Sequence, residues 1–417
     1  MNKKTDKTPN SEYSDIVVLG GGLAGLTMAA VLGKYDIPVT CIDREKPVTQ
    51  TNEKYDGRTT AISAGSRRVF EAIGLWDSLE AHACPIEQIR VTDGDSPKFL
   101  HFDSLLSGLG DYGWIIENRI LRRALMDHLK SVKTVTHKTE CTVEGFARTD
   151  RGVRLNLSGG KEIETPLLIA ADGGQSPTRA WLDIPVRTWS YKQTAIVCNV
   201  GHELNHENTA VEHFMPAGPF AILPMLDTPD GTHRSSLVWT EHGGESGRIL
   251  NLAKPEFDKL LQHKFGERLG KVWHMTKPQS FDLSLCHAKR YTAPNVALIA
   301  EAAHRIHPIA GQGLNLSLRD VACLAEIIVE SRNLGLNPGS LTNLRSYESW
   351  RRRDNLAMAV MTDALTRLFS NNITPVRMAR DTGLDIINRL PPVKKFFERQ
   401  AMGLSGRLPR IIRTGDL

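Results

Sequence analysis

Three glycines, Gly20, Gly22 and Gly25, stand at the spacing of a GxGxxG turn. The first permits a tight turn, the second lets backbone approach a pyrophosphate, and the third lets a helix pack on a strand. A helix opening there offers unpaired N–H groups and the positive end of its dipole to phosphate. Asp43 follows the first glycine by 23 residues, where an acid can bind ribose hydroxyls and would repel a 2′-phosphate. A second glycine loop, Gly311-Gln312-Gly313-Leu314-Asn315, lies behind an acid, Glu301, and a proline, Pro308. Backbone N–H groups at such a loop can stabilise negative charge on whatever lies at its mouth. A third stretch, Asp172-Gly173, closes a buried apolar run.

The elements that must position these residues are legible around them. Asp15–Leu19 is short, apolar and β-branched, as a buried parallel strand is. Leu26–Tyr35 reads as a helix, and Pro38–Asp43 as a second strand ending in the acid. This βαβ unit supplies the context that the glycine motif needs, and a bound dinucleotide, FAD or NAD, is expected. Leu167–Ala171 and Val296–Ala300 are further buried strands. Alternating segments such as Ala210–Phe214, Phe220–Leu226 and Ser235–Thr240 suggest an inserted, mostly antiparallel sheet. From Leu314 the chain turns helical, with apolar residues at Leu314, Leu318, Val321, Ala325 and Ile328.

Composition narrows the class. The chain has 417 residues, 41% of them hydrophobic, with a formal charge of +5. That is enough for a substantial core, and the charge surplus is too small for a nucleic-acid binder. The six cysteines are isolated, which argues against a zinc site or a disulfide scaffold and suits a reducing compartment. Ile16–Gly33 is an uncharged run of 18 residues, near the lower limit for a membrane span of about 17–25. Five of its residues are glycines, so a strand, turn and helix explain it better. With no signal peptide visible, a cytoplasmic location is expected. His304 and His307 resemble a metal pair, but no third ligand supports it, so no metal is expected. No G-x-S-x-G elbow surrounds Ser63 or Ser176, and Cys41 and Cys323 read as packing residues.

Several segments together resemble the single-component flavoprotein monooxygenases of the p-hydroxybenzoate hydroxylase type. His307–Asp320, in the form His-Pro-x-Ala-Gly-Gln-Gly-Leu-Asn-x-x-x-x-Asp, is similar to the ubiquinone-biosynthesis hydroxylases. Asp56–Ser63, Gly218–Pro224 and Ser236–Trp239 also match, and the likeness spans roughly residues 14 to 412. The implied fold class is α/β: a Rossmann-like FAD-binding domain with an interleaved, mostly antiparallel substrate sheet and a helical C-terminus. The expected parts are a disordered N-terminus at 1–13, an FAD-binding domain at 14–84, 104–188 and 285–345, a substrate sheet at 85–103 and 189–284, and a helical region at 346–417.

The resemblance also implies roles. Glu301 would bind the ribityl chain of FAD, and Arg58 and Arg119 would lie near the flavin and its phosphates. Asp172-Gly173 would support FAD indirectly, and the family links it to NAD(P)H. Pro308 would lie against the flavin ring, with Gly311 to Asn315 along its pyrimidine edge. Leu23, Ala24, Arg44 and Val143 complete the candidate cofactor contacts. No side-chain catalyst stands out, and the backbone of Gly311, Gln312 and Gly313 is the favoured catalytic element. The chain departs from the family at Ala300-Glu301, where Gly-Asp is usual, at Asp43, where most relatives have Glu, and at Ser317, which replaces a common Gly.

The implied reaction is hydroxylation of an aromatic ring through a flavin C4a-hydroperoxide, with NAD(P)H or another donor as reductant and molecular oxygen as co-substrate. The implied substrate is a polyprenylated phenol of ubiquinone biosynthesis. Phe214, Pro219, Phe220, Leu223 and Trp239 are candidates for its pocket wall and equally for the core beneath the sheet, since alternation gives a face but not its partner. Beyond Arg377, basic residues such as Lys394, Lys395, Arg399, Arg407, Arg410 and Arg413 alternate with apolar ones. That pattern suits peripheral contact with the inner face of an anionic membrane, or a partner in a quinone-biosynthesis complex, or a solvated helix. Two alternatives stay open: a flavin oxidoreductase of this fold that does not hydroxylate, and a degenerate flavoprotein scaffold.

Overall fold

The structure, a computed structural model, describes residues 11–52, 57–94, 96–370, 380, 382–383 and 386–417. Residues 1–10, Asp56 and Arg377 lie outside them.

A six-stranded sheet forms around Ile16–Leu19, whose four residues are all buried. Across the sheet the order is Thr292–Ala293, Val296–Leu298, Leu168–Ala170, Ile16–Leu19, Val39–Ile42 and Val135–Lys138. All neighbours run parallel except the first pair. A strand covered on both faces can be apolar throughout, which is why these segments show no alternation. The helix Leu23–Lys34 is buried along ten of its twelve residues. Gln312–Asn333 and Asn118–Ser131 pack on it, and one large core joins these elements. A four-stranded sheet (Ser11–Tyr13, Lys161–Thr165, Gly152–Leu157, Val143–Thr149) flanks this half of the molecule.

A nine-stranded sheet forms the other half. Its spine is the 17-residue strand Val186–His202, paired antiparallel with His233–His242 and Gln279–Ala288. Gly218–Met225 and Thr209–Met215 extend it, and Gln88–Asp93 joins Thr209–Met215 in parallel. His304–Arg305, just past the buried strand Val296–Leu298, pairs with the same sheet, so the chain crosses between the two halves here. One face of the large sheet is sealed by the helices Gly243–Leu250 and Lys254–Phe265, with Phe220, Trp239, Phe257, Leu261 and Phe265 in a second core. The long helix Leu341–Phe369 packs on Gln312–Asn333. Among the described residues the tail continues as the helices Pro391–Ala401 and Arg410–Thr414.

Candidate active site

A cavity of about 810 Å³ opens between the parallel sheet and the uncovered face of the large sheet. That is within the range of small-molecule and cofactor sites.

At one end stands the first glycine turn. The N-cap of Leu23–Lys34 is Gly22, with no side-chain cap and no acid in the first turn. Its first N–H groups therefore remain available to an anion. Gly22, Leu23, Ala24 and Gly25 line the cavity. Gly20 sits at φ +111°, and a β-carbon there would lie 2.3 Å from the carbonyl oxygen of Ala171. One on Gly25 would lie 1.9 Å from the carbonyl oxygen of Gly20, whereas one on Gly22 meets nothing within 4 Å. The turn is thus closed by backbone on its inner side and open at Gly22. Asp43 is buried directly beneath: its carboxylate accepts from Gln50 Nε2 at 2.7 Å and from the Glu45 N–H at 3.1 Å. Arg44 is exposed and faces Glu45 at 3.4 Å. Val143 starts a strand two residues beyond Cys141, whose N–H donates to the Asp43 carbonyl at 2.9 Å.

At the other end the helix Gln312–Asn333 begins at Gly311, which has φ +62° and again carries no side-chain cap. Pro308, Gly311, Gly313 and Leu314 line the cavity. Asn315 turns away and staples this loop to the strand Thr59–Ser63. It accepts from the Ser63 N–H at 3.0 Å and donates to the Ala61 carbonyl at 2.9 Å. Gln312 is buried toward Ala401. Between the two helix ends lie Arg58, Gly173, Glu301, His304 and Arg305. Arg58 sits over the Phe281 ring at 5.0 Å. Asp172 is outside the lining and accepts from the Thr178 N–H at 3.0 Å. Two uncapped helix N-termini, an open glycine at each (Gly22 and Gly313) and a wall of mixed polarity fit a dinucleotide with a flavin ring.

Two groups of expected site residues fall only partly on the cavity wall. Arg119 is not on the cavity wall: its Nε donates to Glu117 at 2.7 Å. Arg122 and Asn118, one helical turn apart, line the cavity instead. Arg122 donates to the Gln50 carbonyl at 3.0 Å and so ties the helix to the Asp43 partner. Of the proposed pocket wall, Pro219 and Leu223 line the cavity, joined by Ala221, Ser236, Val238, Thr240, Ala195 and Val197. Phe220 and Trp239 have the opposite parity and sit in the second core, their rings 5.9 Å apart. Phe214 stacks on Phe369 at 4.2 Å, beside Ile309. His304 and His307 are split: His304 meets Asp320 at 2.5 Å, and the His307 ring lies edge-on to Tyr191 at 4.9 Å.

The FAD binding domain family matches residues 13–363. Ubiquinone hydroxylase UbiL of Rhodospirillum rubrum is 43% identical over 96% of this chain and 93% of its own length. The 3-demethoxyubiquinol 3-hydroxylase of Escherichia coli is 32% identical over 94% and 100%. Human ubiquinone biosynthesis monooxygenase COQ6 is 31% identical over 91% of each. The crystal structure of p-nitrophenol 4-monooxygenase PnpA from Pseudomonas putida superposes with a TM-score of 0.79 at 18% identity, covering 95% of this chain and 99% of that one. At that identity the likeness shows the fold, and the sequence relatives carry the rest. The chain belongs to the FAD binding domain family, in its branch of ubiquinone-biosynthesis hydroxylases, and is an FAD-dependent monooxygenase.

Proposed function

We propose that this enzyme hydroxylates the aromatic ring of a polyprenylated phenol in ubiquinone biosynthesis. One observation carries the reading: a single cavity joins two uncapped helix N-termini to a wall of small and aliphatic residues. Gly22 to Gly25, with Arg58 and Arg122, hold the pyrophosphate, and Asp43 supports the ribose end. Glu301 takes the ribityl hydroxyls. Bound FAD, once reduced, supplies the oxygen-activating chemistry. The backbone N–H groups of the loop from Gly311 hold the negative charge of the reduced ring. Leu223, Val238 and Ala221 exclude water and press the substrate ring into place. NAD(P)H or another donor serves as reductant.

Purified protein supplied with FAD, NADPH or NADH, and a polyprenylated phenol under oxygen-18 gas should yield a product carrying one labelled oxygen. Reductant consumption without label in the product would leave the non-hydroxylating oxidoreductase as the better reading. Such a substrate resides in a bilayer, and one corner of the surface suits it. Leu105 and Leu106 are 87% and 84% exposed, and Phe396 is 56% exposed. Asn388 bonds the Phe99 carbonyl and Lys394 lies over Phe102, so the tail sits beside the hairpin that leads to Leu105. Arg389, Lys395 and Arg399 are exposed alongside. Apolar tips ringed by cations match an anionic membrane surface. Cosedimentation with vesicles rich in phosphatidylglycerol should be lost in Leu105→Glu/Phe396→Glu; retention would place membrane contact elsewhere.

A further inference from the structure

Ala300 carries a β-carbon at φ +54°, a left-handed backbone that favours glycine. It opens the short turn Ala300–Ala302, and Glu301 in that turn lines the cavity. A β-carbon on Gly174 would lie 3.5 Å from Glu301 Oε2 and 3.2 Å from Arg305 Nη1, so the turn fixes how these side chains meet the opposite wall. Something must hold an alanine in a backbone conformation that favours glycine.

The holder is Asp320, fully buried in Gln312–Asn333. Its Oδ2 accepts from the Ala300 N–H at 3.1 Å and contacts His304 Nε2 at 2.5 Å. Its Oδ1 accepts from Arg351 Nε at 2.9 Å and Asn355 Nδ2 at 3.1 Å. Arg351 and Asn355 are themselves fully buried. Burial would raise the Asp320 carboxyl, but the charges and hydrogen bonds of His304 and Arg351 outweigh it and hold it at about 2. The Tyr291 ring stacks on His304 at 6.0 Å. Both oxygens are occupied, and Asp320 does not line the cavity.

We infer that Asp320 is a positioning residue, which clamps Ala300 in its left-handed conformation and orients His304, so that Glu301 is aimed at the cofactor. The inference rests on the flavin reading of the cavity. It also explains how this chain tolerates an alanine at φ +54°: the clamp offsets the strain that a glycine would not carry.

FAD titration of the FAD-free protein, followed by flavin fluorescence, tests this, with Tm measured alongside. Asp320→Asn should raise the FAD Kd by about tenfold or more, as expected for losing hydrogen bonds to a charged group. Adding Ala300→Gly to that variant should bring the Kd back within about threefold of the parent, because the two residues are coupled. Asp354→Asn is the control. It removes another Arg351 partner, at 2.8 Å, without touching the turn, and should lower Tm with the Kd unchanged. Should Asp320→Asn not fold, His304→Leu removes one of the two contacts of Asp320 Oδ2 and should weaken FAD binding in the same direction. An unchanged Kd in Asp320→Asn or in His304→Leu, or no recovery with Ala300→Gly, overturns the clamp. Failure of the parent protein to bind FAD at all would instead overturn the flavin reading.

Discussion

The glycines of the first turn do two different jobs, and substitutions separate them. In Gly25→Ala the new β-carbon would sit 1.9 Å from a backbone carbonyl oxygen that has no rotamer to escape into. Overpacking of this kind costs about 1–3 kcal/mol, so Tm should fall along with flavin content. Gly22→Glu meets open space instead. That variant should keep the parent Tm measured without FAD and purify colourless, since a carboxylate would stand at the proposed pyrophosphate site. Stoichiometric flavin in Gly22→Glu would contradict the pyrophosphate assignment. These residues were legible in the sequence because their chemistry is local: the turn, the helix start and the acid lie within one βαβ unit. Arg122 was not, because Arg119 and Arg122 carry the same charge and only the phase of the helix Asn118–Ser131 decides which faces inward. Asn118, one turn before Arg122, was the available signal. The positive φ of Ala300 had no signal in its residue type, since alanine rarely adopts that conformation.

At the scale of elements, the large sheet divides by parity. Pro219, Ala221 and Leu223 face the cavity, while Phe220 and Ile222 face the helices on the other side. Trp239→Ala should therefore cost about 3–5 kcal/mol in chemical denaturation, the usual penalty for emptying a buried aromatic site. Val238→Trp should leave stability close to that of the parent and raise the substrate KM or abolish hydroxylation. A Trp239→Ala variant with parental stability and impaired turnover would reverse the assignment of faces. The alternation itself was readable from the sequence, and so was the mostly antiparallel sheet. What covered each face was not, because a strand pattern says which residues share a side and nothing about the neighbour. Here the aromatic parity went to the core, beneath Gly243–Leu250 and Lys254–Phe265, and the small and aliphatic parity was left for the ligand. The largest residues made the more conspicuous candidates and were the less suitable wall, since they would have filled the space that a flavin and a substrate ring require.

At the scale of the whole molecule, three buried histidines in separate regions set a common dependence on pH. His202 lies in the long strand of the large sheet, hydrogen-bonded to the Leu204 carbonyl at 2.7 Å and to Ser235 Oγ at 3.0 Å. His287 meets the Tyr291 hydroxyl at 3.0 Å, and His307 is wholly buried against Tyr191. Burial is the leading cause that lowers each from 6.5 to about 4 in the folded protein. Between those values the unfolded chain binds more protons than the folded one. Stability therefore rises with pH across that window: it is complete above about 6.5 and is lost as pH falls toward 4. Asp320 stays ionised throughout, since its folded value is about 2. The carboxylate that bonds the Ala300 N–H thus keeps its charge across that window. Tm of the FAD-free protein should be nearly level from pH 8.5 to 7 and should drop steeply from 6.5 to 5. FAD affinity of the still-folded fraction should change little over the same range. Replacing His307 with Leu removes one of these buried titrating groups and should flatten the acid limb by part of its slope. A Tm profile that stays level down to pH 5, or a His307→Leu profile as steep as the parent's, would show that these buried imidazoles do not govern acid stability.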